Sequence, residues 1–166
     1  KDEYILSTLH RPSNVDDQYS LESLMDTMKQ MSEDNTVVFP IHPRTKNNLK
    51  KYNIFEKYNS IKNLKIIEPQ GYIDFMCLQK NAKLIITDSG GIQEESSYFQ
   101  TPCLTVRDNT ERPVTISHGT NKLIGANYEN IIPQLKMIEN KISNINLWDG
   151  MSSKRIVKIL KEYYND

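Results

Sequence analysis

Residues 83–103 constrain this chain more than any other stretch. Leu84-Ile85-Ile86 is short, apolar and uncharged, a pattern that suits a strand buried in a parallel sheet. It gives way to Asp88-Ser89-Gly90-Gly91, and a helical pattern follows at once, over about 91–99. Ser89 is the expected cap of that helix. Gly90 and Gly91 allow a tight turn and leave no Cβ between the backbone and a ligand. The unpaired N–H groups of the first helical turn, at the positive end of the helix dipole, make an anion site that suits phosphate. Glu95 lies one turn beyond Gly91, where its carboxylate can accept from both vicinal hydroxyls of a ribose. A plain strand-to-helix joint with a solvated Glu95 satisfies the same spacing.

The rest of the chain repeats the alternation of strand and helix. Strand 4–9 runs into the polar loop His10-Arg11-Pro12-Ser13-Asn14-Val15-Asp16. The spacing predicts a helix over about 19–32, capped by Ser20, with Leu21, Leu24, Met25, Met28 and Met31 facing the core. Strand 36–41 leads to His42-Pro43-Arg44-Thr45 and a helix over 45–57 with Leu49, Tyr52 and Phe55 inward. Strand 64–67, the turn Glu68-Pro69-Gln70-Gly71-Tyr72 and a short helix over about 73–80 precede the central strand. Tyr98 and Phe99 read as core.

Beyond Cys103 the pattern gives strand 103–106, the charged loop from Arg107 to Pro113, and a short helix or loop over 114–120. Strand 121–125 and a helix over 127–140 carrying Ile131, Ile132, Leu135 and Ile138 come next. A break at 149–153 leads to a last amphipathic helix, 153–164, whose Ile156, Ile159, Leu160 and Tyr163 suit docking elsewhere.

Such alternation implies an α/β fold, Rossmann-like, with three α/β/α layers and a mostly parallel sheet. Ligands of that architecture bind outside the carboxyl ends of the strands. The polar clusters fall there: His10-Arg11, His42-Pro43-Arg44, Gln70-Gly71-Tyr72, Ser89-Gly90-Gly91 and Arg107 to Arg112. A dinucleotide G-x-G-x-x-G is missing from the first turn and a Walker G-x-x-x-x-G-K-[ST] from the whole sequence, which argues against NAD and P-loop NTPase chemistry.

Composition narrows the partners. The 166 residues suit one domain, and 21 basic residues balance 21 acidic ones. That balance suggests neither nucleic acid nor an anionic membrane surface as a partner. No apolar run approaches the roughly 20 residues of a membrane span. Cys77 and Cys103 form neither a zinc motif nor a disulfide framework, which fits a reducing, cytoplasmic compartment and no bound metal. The chain opens on Lys1-Asp2-Glu3 and runs straight into a core strand, as an excised domain or the second half of a longer protein would.

Six stretches, in order, resemble the C-terminal half of non-hydrolysing UDP-N-acetylglucosamine 2-epimerases. They are Thr8-Leu9-His10-Arg11-Pro12, Pro40-Ile41-His42-Pro43, Glu68-Pro69-Gln70-Gly71-Tyr72, Thr87 to Glu95, Arg107 to Pro113, and Gly119 to Gly125. The resemblance implies the second Rossmann-like domain of a two-domain GT-B fold, covering residues 1–166, with the substrate in the cleft between domains. It implies UDP-N-acetylglucosamine and UDP as ligands, no cofactor, a homodimeric full-length protein and a role in surface polysaccharide precursor synthesis.

The resemblance places Ser89, Gly90 and Gly91 on the UDP diphosphate and Glu95 on the ribose. Gln70 and Tyr72 belong to the loop that would receive uracil. His10 corresponds to a histidine near the reacting sugar and β-phosphate, the expected catalytic residue of this half. Arg11 is expected to bind UDP. Arg107 is expected on phosphate, although ion pairs within 107–112 would hold the loop equally well. His42 would approach substrate or an effector sugar nucleotide, or else cap local structure. Ser13 stands where many family members carry Glu, and His118 reads as a solvated side chain. The acidic residues expected to work at C2 of the sugar belong to the other domain, so this chain alone is expected to bind nucleotide without epimerising it. A UDP-sugar glycosyltransferase on the same scaffold and a stand-alone nucleotide-binding module are the competing classes.

Overall fold

In the computed structural model, which describes residues 4–137 and 141–164, six strands form one parallel sheet. They are β1 (Tyr4–Thr8), β2 (Thr36–Pro40), β3 (Leu64–Ile67), β4 (Leu84–Thr87), β5 (Cys103–Thr105) and β6 (Asn121–Leu123). Their spatial order is β3-β2-β1-β4-β5-β6, with every neighbouring pair parallel. All the strands therefore end at one edge, and the chain reverses its direction of travel across the sheet between β1 and β4. That reversal opens a crevice in which a doubly wound sheet binds ligands.

Side chains alternate across the sheet. On one face Ile5, Val37, Phe39, Leu84, Ile86 and Leu104 pack with Leu21, Leu24, Met25, Met28 and Met31 of α2 (Gln18–Asp34) and with Ile131. On the other, Leu6, Ile85, Ile92 and Cys103 form a smaller cluster beneath α5 (Tyr72–Asn81) and α6 (Gly90–Tyr98). The methionine stripe is core, as its spacing requires. Cys103 is buried among these apolar groups, which push its thiol up to about 11, and neither cysteine is in a disulfide.

Several local expectations need correction. Helix α2 is capped by Asp17, whose carboxylate accepts from the Ser20 N–H at 2.9 Å; Ser20 lies inside the helix. One helix over 45–57 is in fact two, α3 (Pro43–Lys51) and α4 (Phe55–Asn59). Asn53, at φ 58, breaks them in the left-handed region that Asn tolerates. The expected helix over 127–140 is a 3₁₀ turn, Tyr128–Asn130, followed by α8 (Ile131–Leu135), while Ile138 falls outside the described residues. Pro133 explains the late start: without an N–H it belongs in a first turn. Tyr98 is 60% exposed and is not core.

Two short helices complete the framework, α1 (Pro12–Val15) in the loop after β1 and α7 (Pro113–Ser117) after the charged loop. The last helix, α9 (Ser152–Tyr164), has an apolar stripe and no buried residue. Among the described residues no helix is long and apolar enough to cross a membrane.

Candidate active site

The loops after β1 and β4 meet through one carboxylate. Asp88, the first residue beyond β4, is fully buried, and its Oδ2 accepts three hydrogen bonds from the β1 loop. They come from the backbone N–H of His10 (3.0 Å), the backbone N–H of Arg11 (2.8 Å) and Asn14 Nδ2 (2.9 Å). The Arg11 guanidinium donates in turn to the Asp88 carbonyl at 2.9 Å. His10 Nδ1 stands 3.1 Å from Asp88 Oδ1. Burial alone would push the Asp88 carboxyl up, but these donors outweigh it and hold it below the usual carboxylate value. The Asp88 carboxylate facing its Nδ1 raises the His10 imidazole, against burial and the charge of Arg11.

His42, at the end of β2, comes to the same corner, with its ring centroid 5.1 Å from that of His10. Its Nδ1 accepts from the Arg44 N–H at 3.1 Å and so caps α3. Desolvation, with the charges of His10 and Arg44, lowers its proton affinity. One histidine of the pair is therefore biased toward the cation and the other toward the neutral form.

Ser89, Gly90 and Gly91 open α6 beside this pair. The Ser89 side chain makes no capping bond; its N–H donates to Thr87 Oγ1 at 3.0 Å. Neither glycine has a positive φ, so a tight turn is not what requires them. The space around them is what glycine preserves. A Cβ at Gly91 would meet nothing within 4 Å, and one at Gly90 only Glu111 Oε2 at 3.9 Å. The start of α6 thus presents bare backbone to an open face.

The other expected residues take distinct positions. Glu95, one turn into α6, is partly exposed and accepts from the buried Gln79 Nε2 at 2.5 Å. Arg107 is 7% exposed and forks onto Glu111 with bonds of 2.9 and 2.8 Å, so its guanidinium holds the charged loop together. The Glu111 carboxyl is driven down to about 2 by that guanidinium. Arg112 Nε lies 3.0 Å from Glu94 Oε1, an ion pair without hydrogen-bond alignment. Gln70 sits on the exposed β3–α5 connection and Tyr72, also exposed, is the first residue of α5, two strands away from β1; Gln70 Nε2 donates to the Glu68 carbonyl at 2.7 Å. His118 is exposed and bonded to Ser117, away from the corner.

Two buried side chains escaped the reading of the sequence. Gln93, in α6, accepts at Oε1 from Thr110 Oγ1 (2.6 Å) and Asn121 Nδ2 (3.1 Å), fastening the charged loop and β6 to the helix. Asp88 is the other. Its signal was present as the first acidic residue after a charge-free strand, at a position where a carboxylate must be buried or exposed to the crevice. Among the described residues no group of three or more His, Cys, Asp or Glu side chains is placed to hold a metal ion.

Comparisons with known proteins find relatives over nearly the whole chain. The profile of the UDP-N-acetylglucosamine 2-epimerase family matches residues 1–161. The UDP-N-acetylglucosamine 2-epimerase of Methanocaldococcus jannaschii is 47% identical over 166 residues, covering 96% of this chain and 44% of the relative. A crystal structure of the M. jannaschii enzyme in complex with UDP-GlcNAc and UDP superposes with a TM-score of 0.81 at 45% identity, over 97% of this chain and 46% of that one. An Escherichia coli heptosyltransferase with ADP, 12% identical, shares the fold alone at a TM-score of 0.59 over 85% of this chain and 46% of that one. The chain thus spans about half the length of the relatives it matches.

Proposed function

Because this chain belongs to the UDP-N-acetylglucosamine 2-epimerase family, we propose that it is the UDP-binding, C-terminal half of such an enzyme. The observation that carries this reading is the corner at the β1–β4 reversal. There the bare backbone of Gly90 and Gly91 opens a helix beside a histidine biased toward the cation by Asp88. Helix-start N–H groups and an imidazolium are donors for a diphosphate.

In the reaction proposed for the whole enzyme, a base removes the proton from C2 of the sugar and the C1–O bond to UDP breaks, leaving 2-acetamidoglucal. The proton returns to the opposite face of C2, and a UDP oxygen re-forms the bond to C1. This half would stabilise the charge that grows on the departing diphosphate, a task for preorganised donors. Ser89, Gly90 and Gly91 would bind the diphosphate, with Arg11 beside them. His10 would donate to its leaving oxygen, and Glu95 would hold the ribose. Gln70 and Tyr72 would lie toward uracil, with Tyr72 exposed for stacking. Arg107 acts through the loop it braces rather than by reaching phosphate as a free cation. His42 serves as a cap and as a neutral neighbour of His10. A cytoplasmic, homodimeric enzyme supplying surface polysaccharide precursors is the setting we assign to it.

Calorimetric titration with UDP, UMP and UDP-N-acetylglucosamine tests the reading. UDP is expected to bind in the micromolar to millimolar range and UMP about tenfold or more weaker, since each tenfold is about 1.4 kcal/mol of contact. Equal affinity for UDP and UMP would remove the diphosphate from the α6 start.

A further inference from the structure

Asp88 does more than join two loops. Its Oδ2 is filled by the N–H groups of His10 and Arg11 and by Asn14 Nδ2. No hydrogen-bond donor among the described residues is aligned on its Oδ1, so His10 Nδ1, at 3.1 Å, is the group on which that half of the charge acts. Behind Asp88 the contacts continue inward. Asn14 is 2% exposed, and both its Oδ1 and its carbonyl accept from the Tyr128 hydroxyl, at 3.2 and 3.3 Å. Tyr128 is 6% exposed and belongs to the 3₁₀ turn before α8, 114 residues further along the chain. We propose that Tyr128, Asn14 and Asp88 form a buried positioning chain that fixes the His10 ring through Nδ1 and leaves Nε2 as the donor to a nucleoside diphosphate.

The chemistry follows from the donor and acceptor inventory. A carboxylate facing Nδ1 selects the ring form with a proton there and stabilises the imidazolium. Asn14 spends its N–H₂ on Asp88, so its amide oxygen faces the tyrosine, which settles the amide orientation. Tyr128, whose hydroxyl is pushed up to about 12 by burial and by the Asp88 charge, stays a neutral donor throughout the working pH range. Other charged or titratable groups around His10 act in known directions. Arg11, on its own loop, disfavours the cation. His42, from the β2 end, is held toward the neutral form with Nδ1 already accepting, so it adds little repulsion. Arg44 stands beyond His42, occupied by Asp16. The Arg107–Glu111 pair is internally compensated.

This role rests on the proposed diphosphate reading, and the test separates the two. The His10 imidazole nitrogens are titrated by NMR in wild type, Asp88→Asn and Tyr128→Phe, and UDP affinity is measured by calorimetry from pH 5.5 to 8.5. In wild type His10 is expected to titrate above the ordinary histidine value and UDP binding to weaken as that proton is lost. Asp88→Asn is expected to bring the titration down to or below the ordinary value and to weaken UDP about tenfold at neutral pH, the scale of one charge-assisted hydrogen bond. Tyr128→Phe is expected to move both in the same direction by a smaller factor, with the fold intact. If Asp88→Asn does not fold, wild type and Tyr128→Phe decide. A wild-type His10 that titrates at the ordinary value overturns the chain, as does UDP affinity that folded variants leave unchanged. Wild type that fails to bind UDP overturns the diphosphate reading and the ligand role with it, whatever His10 titrates at.

Discussion

Gln79 Nε2 donates to Glu95 Oε2 across 2.5 Å, tying the carboxylate proposed for ribose to a buried side chain of the neighbouring helix. One oxygen of Glu95 is thereby committed within the protein, and Oε1 is left with the larger share of any ligand contact. Glu95→Gln is expected to weaken UDP by about 1–2 kcal/mol while the fold survives. The discriminating comparison is UDP against 2′,3′-dideoxy-UDP. Equal losses for both ligands would remove Glu95 from the ribose.

Gly91 gives a cleaner separation of fold from ligand. Nothing lies within 4 Å of a Cβ placed there, and α6 gains a better helix former. Gly91→Ala is expected to leave the thermal midpoint unchanged or slightly raised, by at most about 1 kcal/mol in stability. The methyl group would stand where the diphosphate is proposed, so UDP affinity should fall at least about tenfold, or about 1.4 kcal/mol. Undiminished binding would move the phosphate elsewhere.

Gly119 is glycine for the opposite reason. A Cβ there would sit 2.4 Å from Ser97 Oγ, 2.5 Å from the Thr115 carbonyl oxygen and 2.8 Å from Thr115 Cα. Two of those atoms are backbone and cannot swing aside. Gly119→Ala should cost about 1–3 kcal/mol in urea denaturation. A midpoint equal to wild type would mean that the α7–β6 joint yields more easily than its contacts imply.

The His10–Asp88 pair gives stability a dependence on pH with a definite sign. The folded value for His10 lies above its ordinary 6.5, so its contribution is complete below that value and is lost as pH rises through the folded one. Asp88 is lowered from 3.8, so its contribution is complete above that value and is lost as pH falls through the folded one. The stability difference between wild type and His10→Gln should therefore be largest between these limits and shrink toward alkaline pH. Denaturation at stepped pH checks this, and a difference that grows above neutrality would contradict it.

The chain alone should not epimerise UDP-N-acetylglucosamine. Its expected binding corner offers histidines and backbone N–H groups, while Asp88 is sealed and Glu95 is held by Gln79. A general base must come within about 3 Å of the proton it removes. Incubation in deuterium oxide followed by NMR should show no exchange at C2, and label appearing there would place a competent base in this half.

Much of the fold was legible because its strands are short apolar runs with polar clusters at their ends. β1 to β5 lie where those runs lie, and five polar loops do share one edge. What pattern could not supply was anything set by a single backbone dihedral or a distant partner. Asn53 interrupts a periodic helix without disturbing its apolar spacing. Tyr98 reads as core by residue type, yet it stands at the end of α6, off the face that buries Ile92, Gln93, Ser96 and Ser97, and lies open to solvent. At the corner, Ser89, Gly90, Gly91 and His10 announce themselves as residue types suited to anions. Asp88 does not, because its importance lies in donors contributed from 74 to 78 residues away.

The reversal between β1 and β4 also ties the corner to the order in which the chain folds. β1 forms its ladder with β4 only after the intervening β2 and β3 units have been looped out or built, a pairing of high sequence separation that is slow to close. Until it closes, Asp88 has no donors and His10 has no carboxylate. Ligand competence is thus acquired late, and a chain with a finished corner has already joined the two neighbouring strands that lie furthest apart in its sequence.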